Sequence, residues 1–149
     1  MARGDLFVFD EALAYMIDGG WEPADEIWIG IVTNDPVNVT DAVPAYAAGG
    51  TTNYAAIATA GTYAAGGLLL DTLANMVVEA AGVMTFNDTG ASVTWAQAAL
   101  NPATAMFAII YNDTQANYAI AMIDLDGPID MTAGDLTITW NGSGIFTIT

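Results

Sequence analysis

Hydrophobic residues recur at helical spacing in one segment near the start of the chain. In residues 6–18 (LFVFDEALAYMID) apolar side chains stand three or four positions apart, the spacing of one face of an α-helix. The residues at this spacing are Leu6, Phe9, Leu13 and Ile17. Glycines follow at positions 19 and 20, and glycine commonly ends a helix. The pattern therefore predicts a helix over residues 6–18.

Elsewhere hydrophobic residues alternate with other residues, which is typical of β-strands. In residues 26–33 Ile27, Ile29 and Ile31 share one face of a predicted strand. From residue 68 onward, short strand-like segments are separated by turn residues. These segments are LLLDTL, NMVVEAA, VMTFND, SVTWAQA, ATAMFAIIYN, YAIAMIDL, DLTITWN and GIFTIT. Strands spaced about every ten residues indicate a mainly β fold, an antiparallel β-sandwich or jelly roll, with a short N-terminal α-helix.

The chain is predicted to form one β-sandwich domain over residues 1–149, whose first 20 residues are an N-terminal arm and helix. Residues 34–67 are rich in Ala, Gly, Thr, Asn and Pro. We interpret them as a long loop excursion with one short strand near residues 55–59. Loops of this length inside a domain are usually functional, so this segment is a candidate for contact with a neighbouring subunit.

The charge of the chain excludes several classes of partner. Seventeen Asp and Glu residues stand against Arg3 alone, and the net charge is −16. Because nucleic acids and anionic lipids are bound through Lys and Arg, we expect neither a nucleic-acid nor a membrane partner. The acids are expected to solubilise a chain that is 54% hydrophobic. We therefore expect a soluble protein.

No set of residues in the sequence favours an enzyme. The chain has no cysteine and no histidine, which removes thiolate chemistry, the commonest general base and the commonest zinc ligand. Ser92 and Ser143 consequently have no histidine partner for hydrolysis. Two carboxylates can serve a glycosidase, but nothing distinguishes one pair among seventeen acids. We predict no catalytic residue, no cofactor and no enzymatic activity.

One acidic segment, DLDGPIDMTAGD, leaves two interpretations open. Closely spaced aspartates can bind a hard cation such as calcium, which would make Asp124, Asp126 and Asp130 a structural cation site. The segment does not fit an EF-hand, because Gly127 stands at the fourth position of the loop instead of the sixth. The favoured interpretation is a turn at residues 126–128, with Asp130 and Asp135 in the loop before the next strand.

The tripeptide Asn-Asp-Thr occurs twice, at Asn87 and at Asn112, and each copy ends an apolar segment. Asn and Asp tolerate left-handed backbone angles, so we predict a hairpin turn at both places. For the second copy we expect a strand ending at Tyr111, a turn over residues 112–117 that contains Asp113, and a strand over residues 118–125.

The order of certain short motifs resembles small tailed-bacteriophage virion structural proteins of the capsid decoration (cement) type. The motifs are a Tyr-x-x-Gly-Gly segment (Tyr63, Gly66, Gly67), Val93–Trp95, Ile110–Asn112, Ile123–Asp124, and Ile138–Trp140 followed by Gly144 and Ile145 as a closing hairpin. The resemblance covers nearly the whole chain and is weakest in residues 34–60. These motifs are structural rather than catalytic.

The resemblance implies a non-enzymatic protein on the outer face of the phage head. There it would bind the major capsid protein, bridge its subunits and associate with itself as a dimer or trimer. Candidate contact segments are Met1–Phe9 and Val43–Gly67. Two alternatives stay open: a β-module of the tail, fibre or baseplate, and a carbohydrate-binding surface module that uses Trp21, Trp28 or Tyr46.

Overall fold

The computed structural model describes residues 4–18, 20–33, 57–90 and 92–148. Within these residues the chain forms ten strands and two helices. In chain order they are β1 (Leu6–Val8), α1 (Asp10–Ile17), β2 (Glu26–Val32), β3 (Leu68–Thr72), α2 (Leu73–Met76), β4 (Val77–Ala80), β5 (Val83–Phe86), β6 (Ser92–Trp95), β7 (Ala105–Asn112), β8 (Tyr118–Ile129), β9 (Leu136–Thr139) and β10 (Phe146–Ile148).

Five strands form a central sheet in the order β1-β8-β7-β2-β3, and every neighbouring pair is antiparallel. Residues 107–112 of β7 and residues 119–125 of β8 are buried without interruption. Successive residues of a strand point to opposite faces, so uninterrupted burial means that both faces of the central sheet are covered. The centre of the core therefore lies in β2, β7 and β8.

Two smaller sheets complete the described part of the fold. The outer sheet has the order β10-β5-β4, and the small sheet pairs β6 with β9. In the small sheet Val93 and Trp95 are buried while Thr94 is exposed, as the alternation predicted. The Thr94 hydroxyl lies 2.9 Å from that of Thr137 across the pair. Leu136 and Ile138 of β9 line a cavity together with Ile123 of β8, so the small sheet lies against the central sheet.

The predicted fold class is confirmed. The described chain is mainly β with antiparallel sheets, an arrangement consistent with a β-sandwich, and it has a short helix near its start. Each segment predicted as a strand from residue 68 onward contains one. Buried residues of all three sheets belong to one hydrophobic cluster.

The predicted helix over residues 6–18 is wrong in its first part. Leu6–Val8 is the edge strand β1, whose Leu6 pairs with Ile123 of β8, and the helix covers only Asp10–Ile17. Apolar residues with β propensity pair readily with an open sheet edge, and here this outweighs the helical spacing. The predicted N-terminal arm is therefore part of the central sheet from Leu6 onward, while residues 1–3 lie outside the described residues. The single-turn helix α2 was not predicted.

Most of the predicted excursion, residues 34–56, lies outside the described residues. So does the start of the short strand predicted near residues 55–59. Of the described part, Ile57 donates a backbone hydrogen bond to the carbonyl of Ile31 at 3.2 Å. Residues 57–59 form no strand, and Ala60 bridges to Tyr63 in a tight turn.

The turn predicted at residues 126–128 is instead a bulge inside β8, which continues to Ile129. Phe107 pairs with Asp124 and Ala105 with Ile129, so β8 has three more residues than β7 between these pairs. Asp126 and Gly127 take up the extra length at φ values of 64° and 95°. Asp tolerates this left-handed conformation and Gly adopts it freely, which allows the strand to bulge rather than end.

The two Asn-Asp-Thr segments differ. The copy at Asn112 lies in the β7–β8 hairpin, as predicted, although β7 includes Asn112 and the turn begins at Asp113. The copy at Asn87 is not a hairpin turn, because β5 pairs with β4 and β10 while β6 pairs with β9. The closing hairpin implied by the resemblance is also wrong. Residues 141–144 form a tight turn, but β9 and β10 belong to different sheets.

Candidate functional site

The Tyr-x-x-Gly-Gly segment lies in the loop before β3 and connects that loop to the central sheet by hydrogen bonds. The Tyr63 hydroxyl accepts a hydrogen bond from the backbone N–H of Ile31 at 3.0 Å. The Tyr111 hydroxyl donates to the carbonyl oxygen of Gly66 at 2.9 Å. The ring of Tyr63 also lies 6.4 Å from that of Trp95 in the small sheet. These residues therefore connect β2, β7 and β6 through one short loop.

Gly67 packs directly on the backbone of β2. Its φ is +88°, and a Cβ atom there would overlap the carbonyl oxygen of Ile29 and approach the Cα atom of Gly30 to 2.7 Å. Only glycine fits both the left-handed conformation and this close backbone approach. The glycine pair thus has a structural reason independent of any ligand.

The hydroxyl of Tyr111 remains a hydrogen-bond donor at neutral pH. Burial raises the pKa of Tyr111 above its ordinary value of 10.0, and the nearby Asp113 carboxylate and Tyr63 raise it further. The phenol therefore stays protonated and holds the Gly66 carbonyl. In the motif Ile110–Asn112, Tyr111 therefore forms a hydrogen bond that stabilises the fold.

A buried carboxylate that the sequence did not reveal lies at the start of β2. Asp25 is 2% exposed. Its Oδ2 accepts hydrogen bonds from the backbone N–H of Glu22 at 3.0 Å and from Nδ2 of Asn112 at 2.9 Å. Its Oδ1 accepts a third from Nε2 of Gln115 at 3.2 Å. Asp25 thus joins the turn before β2 to the β7–β8 hairpin. Its place in a short polar turn gave no periodic signal that could single it out.

Asp88 has a similar role at the connection between the outer and small sheets. It is 8% exposed, and its Oδ2 accepts a hydrogen bond from Nε1 of Trp140 at 2.8 Å. Its Oδ1 accepts another from the N–H of Gly90 at 3.1 Å. Trp140, the tryptophan of the motif Ile138–Trp140, therefore forms a hydrogen bond with Asp88 of the Asn-Asp-Thr segment at Asn87.

Two acids of the predicted cation site, Asp124 and Asp130, accept hydrogen bonds from residues two positions further along the chain. Asp124 is buried and accepts the N–H of Asp126 at 2.7 Å, while Asp126 is exposed. Asp130 accepts the N–H and the hydroxyl of Thr132, and these bonds lower the pKa of its carboxyl group. Across the described ranges no three acids gather closely enough to hold a metal ion. Asp130 and Asp135 lie in the loop before β9, as predicted, and Asp135 accepts the N–H of Gln97. Asp126 lies in the bulge of β8 instead of the predicted turn, and the exposed Asp113 lies in the β7–β8 turn.

Of the three aromatic residues suggested for sugar binding, the structure describes Trp21 and Trp28, and neither is exposed. Trp21 is 8% exposed. Trp28 is half-buried, and its Nε1 donates to the carboxylate of Glu26 at 3.2 Å. Tyr46 lies outside the described residues. A sugar-stacking face is therefore not formed by the two described tryptophans.

The surface has exposed apolar side chains and charges of one sign. Leu69 lies on the edge strand β3, Val78 on the edge strand β4, and Leu100 in the turn after β6, where it is 78% exposed. Every charged side chain in the described ranges is an acid, because Arg3 lies outside them. Such a surface repels polyanions and favours basic partners.

An open apolar groove of about 300 Å³ lies where α1, α2 and the outer sheet meet. Side chains from these elements and from the turn before β2 form its walls. They include Met16, Trp21, Leu73, Ala74, Val77 and Met84. The groove lies beside β4, the outermost strand of its sheet.

Comparisons with protein-family models, with curated protein sequences and with solved structures found no match to this chain. In the described part of the chain, the helices are too short to cross a membrane.

Proposed function

We propose that this protein is a virion structural protein without enzymatic activity, most specifically a capsid decoration protein. It would bind the outer surface of a phage head and stabilise the head by bridging major capsid subunits. Binding to the assembled shell favours that shell by mass action, and self-association around a symmetry axis would add avidity.

The observation that carries the proposal is the structural role of residues in the motifs that resemble virion structural proteins. Tyr63, Gly67 and Tyr111 join the loop before β3 to the central sheet, and Trp140 is held by Asp88. A set of motifs shared among structural proteins should consist of such fold-determining contacts. These contacts support the proposal because Tyr63, Gly67, Tyr111 and Trp140 belong to the motifs that carry the resemblance.

The surface supports a binding role. Leu69, Val78 and Leu100 are exposed apolar side chains, two of them on sheet edges. In the loop before β3, Ala64 and Ala65 are exposed, while Tyr63 is buried and holds the loop in place. Rigidly presented apolar residues are what a protein that associates with a large surface requires.

Electron cryomicroscopy of the purified particle, with copy numbers assigned, tests the proposal. We expect density for this fold over every capsomer on the outer face of the head. A few copies confined to the tail, fibre or baseplate would contradict decoration and support the first alternative. Absence from the particle together with specific signals on a glycan array would support the carbohydrate-binding alternative.

A further inference from the structure

The groove between α1, α2 and β4 combines two features that suit the binding of an extended chain. One is an apolar concave wall to which Trp21, Leu73 and Val77 contribute. The other is an edge strand: β4 pairs with β5 on one side, and no described strand pairs with its other side. An unpaired edge offers backbone N–H and C=O groups to an extended chain, and the groove offers space for that chain's apolar side chains.

Three acidic residues stand one or two positions along the chain from residues that line the groove. Glu22 lies in the chain between the lining residues Trp21 and Pro23, and Asp18 follows Met16 at the end of α1. Glu79 stands two residues after Val77 in β4, so the two side chains project from the same face of the strand. All three acids are exposed. An occupant must therefore be positively charged beside its apolar residue.

A second copy of this chain does not meet that requirement. Pairing two β4 edges would bring two Glu79 carboxylates into one small sheet. Like charges across a strand pair are destabilising. Charge complementarity instead selects a basic segment of another protein.

We propose that this groove binds an extended, basic segment of a partner protein, which adds a strand to the β4 edge. On one face of the added strand, an apolar residue would lie opposite Val77 and a Lys or Arg opposite Glu79. Because residues two apart share a face, these two residues of the partner are separated by one position. The inference does not depend on the capsid proposal, since the groove fits such a segment whichever protein supplies it.

Two of the groove's methionines make the binding measurable in the isolated protein. The probe is a capped heptapeptide of threonines with a lysine at its third position and a leucine at its fifth. If it runs antiparallel to β4, as β5 does, the leucine lies opposite Val77 and the lysine opposite Glu79. With methyl-¹³C-methionine, the resonances of Met16 and Met84 should shift and saturate, with a dissociation constant on the order of 1 mM. The buried Met122 and Met131 should not move, and they serve as internal references.

The matched peptide has glutamate in place of lysine and should bind about tenfold more weakly, because its charge would oppose that of Glu79. The variant Ala74→Arg places a cation on an exposed wall residue and should weaken the lysine peptide by a similar factor. Ala99→Arg, at an exposed position in the turn after β6, makes the same charge change and should leave the affinity unaltered.

Unmoved Met16 and Met84 resonances at saturating peptide would overturn the inference, and so would equal binding of the two peptides. Equal weakening by the two arginine variants would locate the binding elsewhere and would overturn it as well. Because this assay needs only the isolated protein and synthetic peptides, its failure would leave the capsid proposal standing. Conversely, absence of the protein from the capsid would leave the groove and its specificity unchanged.

Discussion

The central sheet and the outer sheet are built in opposite ways. In the central sheet, residues 107–112 and 119–125 are buried on both faces, and Asp25, just before β2, accepts hydrogen bonds from three donors. In the outer sheet, Val78, Glu79 and Ala80 of β4 are exposed, and no described strand pairs with the second edge of β4. We infer that the central sheet determines the fold, whereas the β4 end of the outer sheet is exposed.

The difference follows from the hydrophobic pattern of the strands. The segments AMFAIIY and YAIAMIDL are apolar without alternation, which suits strands covered on both faces. Burial of each large aliphatic side chain contributes roughly 1.5–3 kcal/mol. The segment VVEA alternates only weakly and ends in polar and small residues, so β4 contributes less burial and tolerates exposure. Stability should therefore be concentrated in the central sheet.

The largest expected contrast is between two glycines with similar backbone angles. Gly67→Ala places a Cβ atom against the backbone of Ile29 in the central sheet, and we expect a loss of at least about 4 kcal/mol in the free energy of unfolding. Gly82→Ala, in the β4–β5 turn, has a φ of +79° but no atom within 4 Å of the added methyl group. Its expected loss is about 1–2 kcal/mol.

Urea unfolding followed by circular dichroism measures both glycine variants. Both substitutions include the cost of the left-handed backbone. The difference between their losses in the free energy of unfolding therefore measures the effect of the close approach of Gly67 to β2. Similar losses for the two variants would contradict a fold determined by the central sheet. Should Gly67→Ala not fold at all, its failure beside a folded Gly82→Ala supports the contrast.

The next contrast removes the buried acid that precedes β2 of the central sheet and an exposed acid of the outer sheet. Asp25→Ala leaves the fully buried Nδ2 group of Asn112 without its acceptor, and we expect a loss of about 3 kcal/mol. Glu79→Ala removes an exposed acid from β4 and should change the free energy of unfolding by less than about 0.5 kcal/mol. Both variants lose one negative charge, so relief of self-repulsion affects them alike. Chemical denaturation under identical salt conditions gives the comparison, and comparable losses would show that Asp25 acts only through its charge.

Much of the fold follows from the sequence because local periodicity dominates where burial is extensive. Every strand from residue 68 onward was predicted, and so was the alternation of Val93 and Trp95. The predictions are wrong where pairing with a strand that is distant in sequence determines the local structure. Leu6–Val8 forms a strand because β8 offers it an edge, and β8 continues past Asp126 because β7 remains beside it. Neither partner is visible in a local pattern.

The candidate binding surface was less accessible to sequence reasoning. The groove gathers side chains from α1, the turn before β2, α2 and the outer sheet, and no spacing rule connects segments that far apart in the chain. The long excursion was proposed instead because its composition stands out, and most of it lies outside the described residues. Asp25 was overlooked because an acid before a strand resembles any turn residue. The sequence did predict that the surface is negatively charged, because the chain has seventeen acids and one arginine.

The smallest expected effect concerns the junction of the two sheets. Asp71 lies on β3 of the central sheet, and its Oδ1 accepts hydrogen bonds from Nδ2 of Asn75 and the N–H of Thr72, both at 2.7 Å. Its Oδ2 accepts the hydroxyl of Thr89, in the connection after β5, at 3.0 Å. The Asn75 amide is the largest influence, followed by the Thr72 N–H, and together they lower the pKa of the Asp71 carboxyl below its ordinary 3.8.

A carboxyl whose pKa is lowered by folding stabilises the protein above its unfolded pKa and loses that contribution as the pH falls through the folded value. Asp71→Asn should therefore lower the melting temperature by no more than about 2 °C at neutral pH. The deficit should shrink as the pH falls from about 5 to about 2, because the wild-type carboxyl then becomes protonated. Thermal unfolding of both proteins across this range measures it. The large acid dependence of the other carboxylates cancels in the difference.

A double-mutant cycle with Asn75→Ala decides whether the amide of Asn75 is the cause. In the wild-type background, Asn75→Ala should move the acid-induced loss of stability to higher pH, since the carboxylate loses its strongest donor. In the Asp71→Asn background the same substitution should leave the pH dependence unchanged. A shift of equal size in both backgrounds would mean that Asn75 acts through helix α2 rather than through Asp71. The junction between the two sheets would then depend on packing and not on this carboxylate.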